Sequence, residues 1–209
     1  MFKKFDPNIS LFQIKIKAGT VKTSSNVAET IVISPNNYNI TLSSDYLNGA
    51  RSWVPSSPPT TLSIATTITH EIIHAYLLSL VDQYNVSGSS TIYDFCTLYN
   101  AYVKNKTKGG TQGQVDAQHE IIVEKYVNVI ASTIQEFDTG ISVTSGYPRQ
   151  VSLDLAWAGL IGTDFFKKNY PDDATHNNYA DRERIKIRRY VEEYNESREN
   201  QSPLGKPCK

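Results

Sequence analysis

The segment that most constrains this chain is an apolar stretch whose middle carries two histidines and a glutamate. From about Thr61 the chain reads TLSIATTITHEIIHAYLLSLVDQY, without a glycine or proline. Its apolar residues recur every three or four positions, which predicts a largely buried helix, and Thr60 or Thr61 can cap its start. His70, Glu71 and His74 fall inside this stretch. Buried imidazoles and a buried carboxylate are costly unless they are paired or bound to a metal ion, so the fold has to accommodate them.

The motif HEIIH places two possible metal ligands on one helix face. Residues four apart on a helix lie one turn from each other, so His70 and His74 can direct imidazole nitrogens to one point. Glu71 lies about 100 degrees round the helix, within reach of a water on that metal but badly placed to bind the metal itself. This is the arrangement of a zinc site with a general base. The alternative is that both histidines are ordinary residues satisfied by hydrogen bonds.

A catalytic zinc ion usually has three protein ligands and one open position. The chain has four histidines, which leaves His119 and His176. His119 begins a mostly apolar stripe in VDAQHEIIVEKYVNVIASTIQEF, which predicts a second long helix from about Val115 to Phe137, ended near DTG. We therefore expect His119 to face inward as the third ligand. His176, in a polar loop, and Glu124 are the alternatives.

Glu124 is disfavoured as a ligand because it belongs to a polar stripe of the same predicted helix. That stripe is expected to face solvent and contains Glu120, Glu124, Asn128 and Gln135. The predicted buried stripe contains His119, Ile122, Tyr126, Val129, Thr133 and Phe137.

The first quarter of the chain predicts a small antiparallel or mixed sheet. Phe12, Ile14 and Ile16 alternate with polar residues, the period of a strand with one wet face. Two further strands, Thr30 to Ser34 and Tyr38 to Leu42, are separated by the turn-forming residues PNN. The loop RSWVPSSPPT then separates this sheet from the helix of the HEIIH motif.

The whole chain, 1–209, is predicted to be a single α+β domain with a core of about 11–163 and a helical C-terminal extension over 164–209. A short helix is expected in IYDFCTLYNAYVKN and another in the first half of SLDLAWAGLIGTDFFKKNY, where Trp157 is expected to pack in the core. The segment DRERIKIRRYVEEYNESREN is predicted to be a solvated helix.

Charge and composition restrict the partners. Lysine plus arginine and aspartate plus glutamate number 21 each, so there is no basic field to attract nucleic acid. Cys96 and Cys208 are too few and too far apart for a zinc ribbon or a disulfide framework. We expect no membrane span, because no stretch approaches the roughly 20 consecutive apolar residues needed. The start MFKKFDPNIS lacks the apolar segment of a signal peptide, while the neutral polar composition favours an extracytoplasmic or secreted protein.

Several segments in this order resemble the SprT-like zinc metallopeptidases, a branch of the zincin fold. The chain is similar in particular to the uncharacterised SprT-like domains common in Bacteroidota. The segments that carry the resemblance are ITLSSDYLNGA, SIATTITHEIIHAYL, QHEIIVEKYVNVIASTIQEFD and DLAWAGLIGT. The resemblance implies a zincin-like fold with the small sheet packed on the HEIIH helix and on the second long helix. It also implies a sheet edge that receives an extended peptide.

The same resemblance implies His70, His74 and His119 as Zn²⁺ ligands and Glu71 as the catalytic base. The expected function is zinc-dependent hydrolysis of peptide bonds in a protein or peptide substrate, with Tyr126 or Tyr147 as a possible oxyanion donor. The chain lacks the cysteine ribbon and basic surface of the family's DNA-repair members. The alternatives are a non-catalytic zinc-stabilised protein-binding module and an interaction protein without metal.

Overall fold

The computed structural model describes residues 13–50, 57–87, 111–143 and 146–207. Over these residues the chain has three strands and seven helices, which confirms the predicted α+β class. The elements are β1 (Gln13–Gly19), β2 (Ala28–Ser34), β3 (Asn37–Ser43), α1 (Ser44–Leu47), α2 (Thr61–Ser87), α3 (Thr111–Lys125), α4 (Val127–Thr139), α5 (Gln150–Ala156), α6 (Asp164–Asn169) and α7 (Tyr179–Tyr194). Phe12, the predicted helix containing Cys96, and Cys208 lie outside the described residues.

The strands form a small mixed sheet in the order β1-β3-β2. β2 and β3 pair antiparallel across the predicted turn, in which Asn36 has a φ of 61°. β1 pairs with β3, and the two run parallel because the chain reverses direction twice between them. β3 takes the central position because it carries the most buried side chains of the three strands, among them Tyr38 and Ile40.

Helix α2 runs between the sheet and the other helices. It begins where predicted, and the hydroxyl of Thr60 accepts the backbone N–H of Ser63 (3.2 Å) as its cap. Ala75 packs on Tyr38 of the sheet, while Leu62, Ile73 and Leu77 belong to the main hydrophobic core on the other side.

The segment Thr61–Asp82 of α2 is long and apolar enough, by length and composition, to cross a membrane, and 56% of it is buried inside the structure. The sequence predicts no such span, because no stretch approaches the roughly 20 consecutive apolar residues needed. A core helix of a soluble protein passes the same test, so this property by itself is weak evidence for a membrane.

The predicted second long helix consists of two consecutive helices. Helix α3 is described from Thr111, before the predicted start, and the helical backbone breaks at Tyr126, which has a φ of −123°. Hydrogen bonds from Tyr126 N to the oxygen of Ile122 (2.8 Å) and from Ile130 N to the oxygen of Tyr126 (2.9 Å) cross the break. Helix α4 ends at Gly140, as the DTG segment predicts, with a φ of 68°.

The predicted polar and apolar stripes of this region are partly wrong. Glu120, expected to face solvent, is buried, and its carboxylate accepts the N–H groups of Asp164 (2.6 Å) and Phe165 (3.2 Å) at the start of α6. Hydrogen bonds to a carboxylate at a helix N-terminus offset the cost of burying the charge. Phe137, expected to be buried, is 57% exposed, because the buried face of α4 runs through Ile130 and Ile134.

The charged helix α7 is only partly solvated, contrary to the prediction. Ile185 belongs to the main core, and Glu192 is completely buried. The Glu192 carboxylate accepts the hydroxyl of Thr60 (2.6 Å) and the backbone N–H groups of Leu204 (2.8 Å) and Gly205 (3.1 Å). These bonds tie the C-terminal segment to the start of α2, so residues beyond 163 help to hold the helix that carries the HEIIH motif.

Candidate metal centre

Three histidines from two helices converge on one point. His70 and His74 lie one turn apart on α2, and their Nε2 atoms are 3.0 Å from each other. Helix α3 brings His119, whose Nε2 lies 3.3 Å from that of His70. One nitrogen from each ring lies within 4.8 Å of the others, so these residues are close enough to bind one metal ion. The fold therefore brings together the three histidines that were expected to bind a metal ion.

The spacing and chemistry of these nitrogens fit a small cation. Ligands about 2.0–2.1 Å from a tetrahedral zinc ion lie about 3.3 Å from one another, close to the two Nε2 separations of 3.0 and 3.3 Å. A proton on one Nε2 can be shared with only one neighbouring ring, whereas a cation accepts a lone pair from all three. Imidazole also suits copper, iron and nickel, so the donor set alone does not select zinc.

Burial keeps the three imidazoles neutral at physiological pH. It lowers the pKa of His70 well below its usual range, and the neighbouring His74 and His119 lower it further. Burial likewise lowers the pKa of His74 and of His119 to about 4. The neutral imidazole is the form that binds a metal ion, so the site does not have to release protons at pH 7 before binding one.

Gln118 holds the ring of His74 from the side opposite the cluster. Its Oε1 lies 2.5 Å from Nδ1 of His74, and both side chains are buried. Gln118 is not among the site residues predicted from the sequence. Its position immediately before His119 on an inward-facing helix is the signal that was available.

Glu71 points toward the sheet. Its side chain is 9% exposed, and its Oε2 accepts the hydroxyl of Thr30 on β2 at 2.6 Å. The same hydroxyl lies 3.2 Å from the backbone oxygen of Glu71. Burial raises the pKa of Glu71 to about 7, while the Thr30 hydrogen bond acts in the opposite direction and the charge of Glu29 adds to the rise. A carboxyl group with such a pKa can both accept and release a proton near neutral pH.

The turn after α5 lies against the histidine cluster. Gly159 has a φ of 80°, and a Cβ at this position would lie 3.4 Å from Cε1 of His70. Within the described part of the chain, the buried Nδ1 of His70 has no hydrogen-bond partner. The DLAWAGLIGT segment therefore forms one wall of the site. Trp157 of this segment packs against Phe166 and Tyr170, in agreement with its predicted core role.

The alternative ligands and the candidate oxyanion donors are not brought into the cluster. His176 lies in an exposed turn, where its Nδ1 accepts the N–H of Asn178 (3.1 Å), and Glu124 is exposed. Tyr147 is 86% exposed. The ring of Tyr126 packs edge-on against that of Tyr76, with 6.1 Å between their centroids. Burial, followed by the contact with Tyr76, raises the pKa of Tyr126 to about 12.

The structure thus shows three histidines, two of them buried, that are close enough to bind one cation, and a buried glutamate that follows His70 in the chain. No protein-family model, curated protein or solved structure matches the chain. The similarity to the SprT-like metallopeptidases therefore stays a prediction made from the motifs.

Proposed function

We propose that this protein is a zinc-dependent metallopeptidase that hydrolyses peptide bonds in a protein or peptide substrate. The observation that carries the proposal is the convergence of His70 and His74 of α2 with His119 of α3, together with the buried Glu71 that follows His70 in the chain. Three histidine ligands leave a fourth position open, which is typical of catalytic zinc. Zinc is the cation of choice for this proposal because the HEIIH motif is typical of zinc hydrolases.

The histidines would hold the ion, and Glu71 would move the proton. When bound, zinc supplies a Lewis acid that polarises a carbonyl and lowers the pKa of water toward about 7. Glu71 then accepts a proton from the attacking water on its carboxylate and donates it to the nitrogen of the departing amine. Its pKa of about 7 in the described structure suits both steps.

Thr30 would stabilise Glu71 in both protonation states. Its hydroxyl lies within hydrogen-bond reach of two acceptors, Oε2 and the backbone oxygen of Glu71, at 2.6 and 3.2 Å. While the carboxylate is ionised, the hydroxyl donates to Oε2. Once Oε2 carries a proton, that proton can be donated to the Thr30 oxygen, while the hydroxyl hydrogen turns to the backbone oxygen. The Thr30 hydroxyl and Oε2 of Glu71 therefore remain hydrogen-bonded to each other in both states.

The strand that carries Thr30 also offers a place for substrate. β2 lies at one edge of the described sheet, and its Val32 and Ile33 are 47% and 55% exposed. An extended peptide can add to such an edge through main-chain hydrogen bonds, with alternate side chains contacting the protein. The proposal thus places the substrate main chain along β2, beside the residue that contacts Glu71.

The experiment combines metal analysis with a cleavage assay. We expect one zinc ion per chain in purified protein, greatly weakened binding in His119→Ala and unchanged binding in the exposed control His176→Ala. A peptide library should be cut by the parent and not by Glu71→Gln, which keeps an oxygen for Thr30 but cannot take up the proton. The proposal fails if the reconstituted parent binds no zinc, or if Glu71→Gln cleaves as fast as the parent.

A zinc-stabilised protein-binding module is the second candidate. It is favoured by the burial of the site, since His70, His74 and Glu71 are each less than a tenth exposed. A structural zinc ion needs no solvent access and no base. In that case the parent would bind zinc and lose thermal stability on chelation, but neither it nor Glu71→Gln would cleave any peptide in the library.

A further inference from the structure

The contact between Gln118 and His74 determines which nitrogen of this ring can bind a metal. The acceptor is the amide oxygen Oε1, 2.5 Å from Nδ1. A carbonyl oxygen of an amide only accepts hydrogen bonds, so Nδ1 has to carry the proton of the neutral ring. Nε2 is then left with a free lone pair, and this is the atom that lies 3.0 Å from Nε2 of His70.

We infer that Gln118 is a positioning residue of the metal centre, which holds His74 in the tautomer and ring orientation needed to bind through Nε2. Both side chains are more than nine-tenths buried, so water does not readily replace the contact. A partner on the second nitrogen of a metal-binding histidine fixes its tautomer and raises its affinity for the ion. His70 has no such partner on Nδ1 within the described residues, so His74 is the better anchored of the two ligands on α2.

Three consecutive residues of α3 then perform three different tasks. Gln118 orients a ligand on α2, and His119 itself reaches the cluster. Glu120 anchors α3 by accepting the N–H groups of Asp164 and Phe165 at the start of α6. Helix α3 therefore supplies one ligand and orients another, and a shift of this helix would disturb both at once.

This inference rests on the metal-binding part of the proposed function and not on peptide hydrolysis. It is tested by measuring the affinity for zinc alone, in competition with a chromogenic chelator, in two variants of Gln118. Gln118→Leu removes the acceptor at similar size, and we expect zinc to bind about 10–100-fold more weakly. Gln118→Glu retains an acceptor and should restore an affinity at least equal to that of the parent. Gln150→Leu, an exposed glutamine replaced in the same way, should bind zinc like the parent.

A second measurement uses the parent protein and therefore does not depend on the folding of a variant. In the zinc-free parent, nitrogen-15 NMR of the His74 ring should find the proton on Nδ1, since this is the atom that faces Gln118. The inference is overturned if the proton resides on Nε2, if Gln118→Leu binds zinc as tightly as the parent, or if Gln118→Glu is as weak as the leucine variant. If the parent binds no zinc, the proposed function is refuted. The position of the His74 proton would still test whether Gln118 fixes the tautomer of His74.

Discussion

Acidification should destabilise the metal-free protein through the histidine cluster, and Glu71 should offset part of that loss. His74 and His119 have pKa values lowered from 6.5 to about 4, and the pKa of His70 is lowered as well. Between about pH 4 and 6.5 the unfolded chain therefore binds protons that the folded chain does not, and stability falls as the pH falls. Glu71 has the opposite sign. Its pKa is raised from 4.5 to about 7, so its contribution is present at low pH and is lost as the pH rises through 7.

The size of both effects follows from these pKa values. Going from pH 7.5 to 5.5, His74 and His119 each remove about 1.3 kcal/mol of unfolding free energy. The lowered pKa of His70 acts in the same direction. Over the same interval the protonation of Glu71 adds about 2 kcal/mol to the free energy of unfolding. The histidines therefore outweigh Glu71, and we expect a net loss of stability in a domain whose typical stability is about 5–15 kcal/mol.

Urea unfolding with excess chelator at pH 5.5, 6.5 and 7.5 measures this loss. His119→Gln should make this loss about 1.3 kcal/mol smaller, because one imidazole with a lowered pKa is gone, while His176→Gln should leave it unchanged. Glu71→Gln should make the loss about 2 kcal/mol larger, because the opposing group is removed. The reasoning is refuted if metal-free parent is equally stable at all three pH values, or if Glu71→Gln shows a smaller loss than the parent.

Three further predictions concern the metal, the base and the turn beside the cluster. If zinc is present at about 1,000 times its Kd, adding an excess of chelator should lower the Tm by about 8–16 °C. An unchanged Tm would show that no metal ion stabilises the fold. Thr30→Val should reduce kcat about 10–100-fold by removing the hydrogen bond to Glu71, whereas Thr30→Ser should remain near the parent; equal rates in all three would refute a positioning role. Gly159→Ala and Gly140→Ala should each cost about 1–2 kcal/mol, because both glycines have positive φ. Zinc binding should weaken only in Gly159→Ala, whose new methyl group faces His70, and equal affinities would contradict that wall of the site.

Where structure depends on near neighbours in the chain, the amino-acid sequence predicted it well. The start of α2 was predictable because Thr60 caps a long apolar run, and the end of α4 because only glycine readily adopts the left-handed conformation of residue 140. The turn between β2 and β3 follows from the proline and asparagines that form it. The approach of His70 to His74 also follows from helix geometry alone.

The tertiary structure decided everything that depends on which distant segments pack together. Periodicity favoured His119 as the third ligand but left Glu124 and His176 open as alternatives. The packing of α3 on α2 brings His119 to the cluster. It also misplaced Glu120, whose burial depends on the N-terminus of a helix 44 residues away.

The contacts made by Gln118 and Thr30 were not predictable, because their partners lie 44 and 41 residues away in the chain. A residue's own neighbours determine its local conformation and the helix or strand face on which it lies. Which buried donor meets which buried acceptor is determined only when the α2 helix, the sheet and α3 are packed together.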